Sequence, residues 1–154
     1  MTFEDATDFA HDWIAAWNAH DLDRIVGHYA QEIEFVSPLI VERLGDASGT
    51  IHNRDALREY FGIGLNNNPA LRFAFKQVLM GVRGFTLIYE NARGGQTAEY
   101  FEHNTEVKVT RAICCYTRTF CFGIVPYHQI GFMRDAKFQK ALSAFKSKSG
   151  SWMI

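Results

Sequence analysis

The stretch QTAEYFEHN, residues 96–104, carries the best case for chemistry in this chain. Strand alternation puts Thr97, Glu99, Phe101 and His103 on one face and Ala98, Tyr100 and Glu102 on the other. If Phe101 points into an apolar interior, Glu99 points there too. Burial then raises the carboxyl's pKa toward the range in which it serves as a general acid or base. If that face is the outer one, Glu99 is solvated or pairs with a residue such as Arg111. Alternation groups the residues but does not say which side is core. His103 shares the face but sits near a turn, where a partly exposed histidine needs no role.

A second polar candidate is Ser37, at the end of EFVSP, residues 34–38, where a strand halts at a proline. It reads either as a turn residue or as a hydroxyl at a pocket mouth. Trp13, Trp17, Tyr29, Phe35, Tyr60, Phe61, Tyr89 and Tyr116 are candidates for core, cavity wall or both. Buried tyrosine hydroxyls need partners, and can orient a substrate oxygen. His52 precedes a helix and could reach a pocket mouth. His11, His20 and His28 lack the i, i+4 spacing of a metal pair, so no metal is assigned. Cys114 and Cys115 face opposite ways, with no basic neighbour in sequence to make a thiolate. GVRGF and NARGGQ are hairpin turns rather than phosphate loops.

The elements that must position these residues follow from periodicity. Phe9, Trp13 and Trp17, with Ala6, Ala10 and Ile14, make one apolar face of a first helix. Asp21 caps a second helix, in which Leu22, Ile25, Val26 and Tyr29 fall at i, i+3, i+4 and i+7. EIEFVS is a short strand with Ile33, Phe35 and Ser37 on one side. Residues 38–52 read as a loop, and Asn53 caps a third helix, RDALREYFGIGL, with Ala56, Leu57, Tyr60 and Phe61 on one face. From Leu71 the period changes to that of four strands, punctuated by Gly84, Gly94-Gly95 and NTE. The predicted layout is α+β: a strongly curved antiparallel sheet wrapped around N-terminal helices, forming a cone that encloses a pocket. Both sheet faces read as apolar, so the face away from the helices needs a cover, and a second copy of the chain is the cheapest one.

Length and composition are consistent with this reading. The chain has 154 residues, about one domain. Its 14% aromatic content, with 13 Phe, can make a bulky core or line an apolar cavity. A formal net charge of −1 leaves no footprint for nucleic acid or an anionic membrane. No apolar run approaches the ~20 residues of a membrane span. The acidic N-terminus does not fit a signal peptide, and three cysteines form neither a metal spacing nor an even framework, so a reduced, cytoplasmic setting is expected. Residues 1–120 are predicted to form the cone domain. Residues 121–154 are predicted to be a C-terminal extension, with a basic helix at RDAKFQKALSAFKSK that packs on the domain or on a dimer.

The series AWNAHDLDRIVGHYAQEIEFVSP, GTIHNRDALREYF, NPALRF and YFEHNTEVKVTRAICCY resembles the SnoaL-like group of the nuclear transport factor 2-like superfamily, over roughly residues 8 to 117. The resemblance implies a conical α+β fold, an apolar pocket, frequent homodimers packed through the sheet, and no cofactor. It also implies a choice of functions: cyclases, isomerases, dehydratases, epoxide hydrolases and plain binding modules. Enzymes of this group often keep an acidic residue just before the strand-ending proline, where this chain has Ser37. A neutral hydroxyl is a poor base unless activated, so the expected base is Glu99. The expected function is binding of an apolar, oxygenated small molecule, with isomerisation, cyclisation or dehydration by proton transfer. The alternatives are a non-catalytic carrier with the same pocket, and an interaction module whose cone is filled by side chains.

Overall fold

Capping and alternation account for most of the architecture in the computed structural model, which describes residues 1–117. Helix α1, Phe3–Asn18, opens on a capping box in which Thr2 and Asp5 each accept from the other's backbone N–H. It buries Ala6, Ala10, Trp13, Ile14, Ala16 and Trp17, the face its spacing predicts. Helix α2, Leu22–Gly27, is capped by Asp21 as expected, but it ends before Tyr29. That residue instead opens strand β1, Tyr29–Val36. The heptad-like spacing at Tyr29 is coincidental, because a residue starting a strand can point into the same core as the preceding helix.

Residues 38–52 are not one loop. They contain helix α3, Pro38–Leu44, and strand β2, Thr50–His52. Ser37 is the N-cap of α3, Pro38 stands in its first turn, and Gly45 closes it in the left-handed conformation at φ 67°. Helix α4, Arg54–Asn66, is capped by Asn53 and buries Leu57, Tyr60, Phe61 and Leu65; the expected Ala56 is half-buried. Strands β3, Ala74–Met80, β4, Gly84–Glu90, β5, Gln96–His103, and β6, Val109–Tyr116, follow.

The six strands form one open sheet in the order β2-β1-β6-β5-β4-β3. Neighbours are antiparallel except β1 and β6, which run parallel, with Phe35 opposite Ala112. The α+β fold is therefore as expected, and the sheet is not closed into a barrel. One face carries Leu87, Tyr89, Thr97, Glu99, Phe101, Ala112 and Cys114, all buried. The other face carries half-buried Ile88, Ala98, Tyr100 and Ile113. No described helix is long and apolar enough to cross a membrane. The predicted extension, residues 121–154, lies outside the described residues.

Two of the hairpins share one turn design with different residues at its strained position. In the first, Asn91 Oδ1 accepts from Arg93 N and Gly95 N, and Gly94 adopts φ 74°. In the second, Asn104 Oδ1 accepts from Glu106 N and Lys108 N, and the equivalent residue is Val107 at φ 60°. A β-branched residue is strained there, and Val107 is exposed. Val107→Gly should therefore stabilise the protein by about 1 kcal/mol, the released strain outweighing glycine's backbone entropy. Urea denaturation at constant m-value measures it; a loss of stability would mean the valine is not strained.

Candidate functional site

The face that sequence left open is settled by β5 itself. Phe101 is fully buried and Glu99 is only 2% exposed, both under the helices. Arg111 is not Glu99's partner: it donates from Nε to Glu34 Oε1 at 2.9 Å on the opposite face. That outer face also has a cleft of about 450 Å³, lined by Glu32, Glu34, His52, Glu102 and Arg111 among others. His52 therefore faces the outer side. His103 follows an irregularity in the β5–β6 register and is half-buried, its Nδ1 3.3 Å from Asn104 O.

Around Glu99 the inward positions of three adjacent strands converge. Leu87 on β4 and Cys114 on β6 are its register partners. Tyr89, two residues along β4, donates its hydroxyl to Glu99 Oε2 at 3.1 Å. Burial raises the carboxyl's pKa from 4.5 to about 7, against the smaller lowering effects of the Tyr89 hydroxyl and the Cys114 thiol. The Cys114 thiol is close enough to lower the pKa, but among the described residues Oε1 has no partner at normal hydrogen-bond geometry. Burial and then the nearby Glu99 push Tyr29 and Tyr89 well above the ordinary phenol value. Burial and the same carboxyl raise the Cys114 thiol, so it stays protonated.

The remaining candidates pack with one another in the interior. Trp13 is buried and donates from Nε1 to Tyr29 Oη at 3.0 Å. It lies 5.5 Å from Tyr89 and 5.8 Å from Phe101, ring to ring. Trp17, one turn on, packs edge-on against Phe61 at 4.8 Å, and Phe61 meets Phe35 and Tyr60 at 5.3 and 5.9 Å. Tyr60 is raised to about 12, chiefly by burial. Ser37 is 1% exposed, and its Oγ has two partners: the Leu39 N–H, which it accepts at 3.2 Å, and the Tyr116 hydroxyl at 3.2 Å. It is thus both a strand stop and an interior hydroxyl.

Sequence reading did not single out Phe73, which is half-buried between α4 and β3, lies tilted against Tyr89 at 4.7 Å and stacks on Trp13 at 5.8 Å. Its place is set by Asn18, which donates to Phe73 O at 2.9 Å and accepts from Phe73 N at 2.7 Å. The expected strand run from Leu71 included Phe73, but β3 begins only at Ala74, so Phe73 lies just before the strand and its place comes from Asn18. Among the described residues, no three His, Cys, Asp or Glu side chains come together as metal ligands would.

A family model described as a SnoaL-like domain matches residues 10–117. A SnoaL-like protein of unknown function from Burkholderia thailandensis has a similar structure, at TM-score 0.74 and 35% identity, over 76% of this chain and 98% of that one. A proposed SnoaL-like isomerase from Agrobacterium tumefaciens matches at TM-score 0.59 and 16% identity, over 73% and 97%. A proposed ketosteroid isomerase from Kribbella flavida matches at 0.57 and 11%, over 83% and 89%. The last two likenesses concern fold alone. No curated protein matches the chain.

The raised pKa of Glu99 has a consequence for stability. Its folded value, about 7, exceeds the ordinary 4.5, so between those values the folded chain holds a proton the unfolded chain has lost. Stability from this group is complete below about pH 4.5, falls as pH rises through 7, and is then constant at its lowest. The total is roughly 3 kcal/mol. Glu99→Gln should remove that slope, so its stability relative to wild type should rise by about that amount from pH 4.5 to 8. Denaturant titrations at several pH values measure it, and parallel curves for the two proteins would contradict the buried, neutral carboxyl.

Proposed function

Since this chain belongs to the SnoaL-like family of the nuclear transport factor 2-like superfamily, we propose that it binds an apolar, oxygenated small molecule and moves a proton on it through Glu99. The observation that carries the reading is a carboxyl group 2% exposed, titrating near 7, with one oxygen that has no partner among the described residues. A general base or acid is most effective when its pKa lies near the working pH. In its ionised form Glu99 takes a proton from carbon beside a ligand carbonyl, and the electron pair moves onto the carbonyl oxygen as an enolate. Return of that proton to another carbon is isomerisation; attack of the enolate on a second carbonyl is cyclisation. Expulsion of a β-hydroxyl as water, with Glu99's proton completing it, is dehydration. Tyr89 steadies the carboxylate by donating to Oε2. The names of the Agrobacterium and Kribbella proteins agree with this class of reaction.

Deuterium exchange into a panel of cyclic ketones, α-tetralone among them, tests the reading by NMR in D₂O. Wild type should accelerate exchange, Glu99→Gln should lose on the order of 10²-fold or more, and the rate should climb across about pH 7 as the carboxyl ionises. A rate that falls across the same range would assign Glu99 as acid rather than base. Equal rates for both proteins across the panel would end the catalytic reading.

The second reading is a carrier with the same interior. It is favoured by Ser37, whose hydroxyl already bonds Leu39 and Tyr116 and which cannot act as the acid that related enzymes often keep there. A ligand retained through purification and seen by native mass spectrometry, with no exchange activity, would support it.

The half-buried Ile88, Ala98, Tyr100 and Ile113 also suit a homodimer through the outer sheet face. Analytical ultracentrifugation should give twice the chain mass, and Tyr100→Glu should shift it toward one. A wild-type monomer at tens of micromolar would rule the dimer out.

A further inference from the structure

Trp17 Nε1 and Glu99 Oε1 are the two buried side-chain polar atoms without a hydrogen-bond partner among the described residues. One is a donor and the other, when ionised, an acceptor. Their situation contrasts with Trp13, one helical turn earlier, whose indole N–H is satisfied by Tyr29. A buried donor left unpaired costs free energy, and native interiors rarely retain one without a reason.

An ordered water is a poor solution for Trp17. A buried water needs two to four polar partners, whereas among the described residues the ring neighbours of this indole are Trp13 at 5.7 Å, Phe61 at 4.8 Å and Phe73 at 5.5 Å. Those walls suit a molecule that brings one acceptor oxygen on an otherwise apolar body. The packed rings continue toward Glu99: Phe73 lies tilted against Tyr89 at 4.7 Å, and Tyr89 donates to the carboxylate. Phe73 is held by both of its backbone groups to Asn18, the residue after Trp17, so the donor and its aromatic wall are placed by one helix end.

We propose that Trp17 is the second polar anchor of the Glu99 site, its indole N–H donating to a carbonyl oxygen of a flat, largely apolar ring ligand whose exchangeable proton meets Glu99. This rests on the reading of Glu99 given above, and it narrows the ligand class to ring ketones and their enols. A site built to bond an oxygen rejects the analogue that lacks it, because the donor is then left unpaired. Trp17 binds and positions; the proton moves at Glu99.

The test uses the full chain with 15N-labelled indoles, α-tetralone as probe and tetralin as its oxygen-free control. The Trp17 indole resonance is identified by its loss in Trp17→Phe. It should move downfield with α-tetralone and stay in place with tetralin. Trp17→Phe should weaken α-tetralone binding about tenfold and leave tetralin binding unchanged, the loss expected for one hydrogen bond. The wild-type indole shift stands even if that variant fails to fold, with the resonance then assigned through Trp13→Phe and Trp152→Phe. An unmoved Trp17 resonance at saturating α-tetralone overturns the anchor, as does the absence of any resonance shift up to the probe's solubility limit. An indole shift without Glu99-dependent exchange upholds the anchor while ending the catalytic reading, so the two failures are distinguishable.

Discussion

A carboxyl group fixed on the same strand face as Phe101 constrains everything near it. Strand geometry gives Glu99 no route outward, because the alternation that buries Thr97 and Phe101 buries it as well. The interior can respond in two ways: neutralise the group, or surround it with donors. Both responses are present. Burial shifts the pKa upward to about 7, and Tyr89 supplies one hydrogen bond that partly opposes the shift. The result is neither a structural ion pair nor an inert neutral acid. It is a group whose protonation changes over the pH range of most cellular chemistry.

The helices serve that constraint. α1 lays Trp13 and Trp17 across the inner face, and α4 brings Tyr60 and Phe61 to meet Phe35 on β1. A layer of large rings excludes water more completely than aliphatic side chains of equal number, and so keeps the local dielectric low. The same rings have polar edges, and their hydroxyl and indole groups need partners. The protein pairs Trp13 with Tyr29, Tyr89 with Glu99, and Ser37 with Tyr116. These pairs connect α1 to β1, β4 to β5, and the end of β1 to β6.

Much of this was legible in the sequence, and the rest was hidden for identifiable reasons. Alternation in QTAEYFEHN grouped Glu99 with Phe101 correctly, yet only the packed structure says that the group faces the helices. Helix α3 carried its own signals, a serine cap, Pro38 and Gly45, but its seven residues are too few for a clear apolar period. Tyr29 satisfied a helical spacing and still began a strand. The parallel pairing of β1 with β6 depends on contacts some 77 residues apart in the register Glu34 to Arg111, and local pattern has no access to it. Phe73 stood within the expected strand run, yet its actual place just before β3 comes from the Asn18 side chain, which alternation does not reveal.

Ser37 illustrates how the satisfied and unsatisfied polar groups divide the interior between them. Its hydroxyl caps α3 and meets Tyr116, so replacing it with a carboxylate would place a second charge beside a phenol already raised by burial, and then by Cys114 and Glu99. Two buried carboxyls in one small volume drive each other's ionisation apart, and the neutral cap avoids that. The serine therefore leaves Glu99 as the single titrating acid on this face of the described sheet. Fully bonded groups in a core hold it rigid, whereas unpaired ones keep interaction energy in reserve. Here the bonded pairs fix the strands and helices, and the reserve lies at Glu99 Oε1 and Trp17 Nε1. On the reading proposed above, a ligand that bonded those atoms would gain what the protein alone leaves unmade, and an oxygenated guest would be preferred to a purely hydrocarbon one.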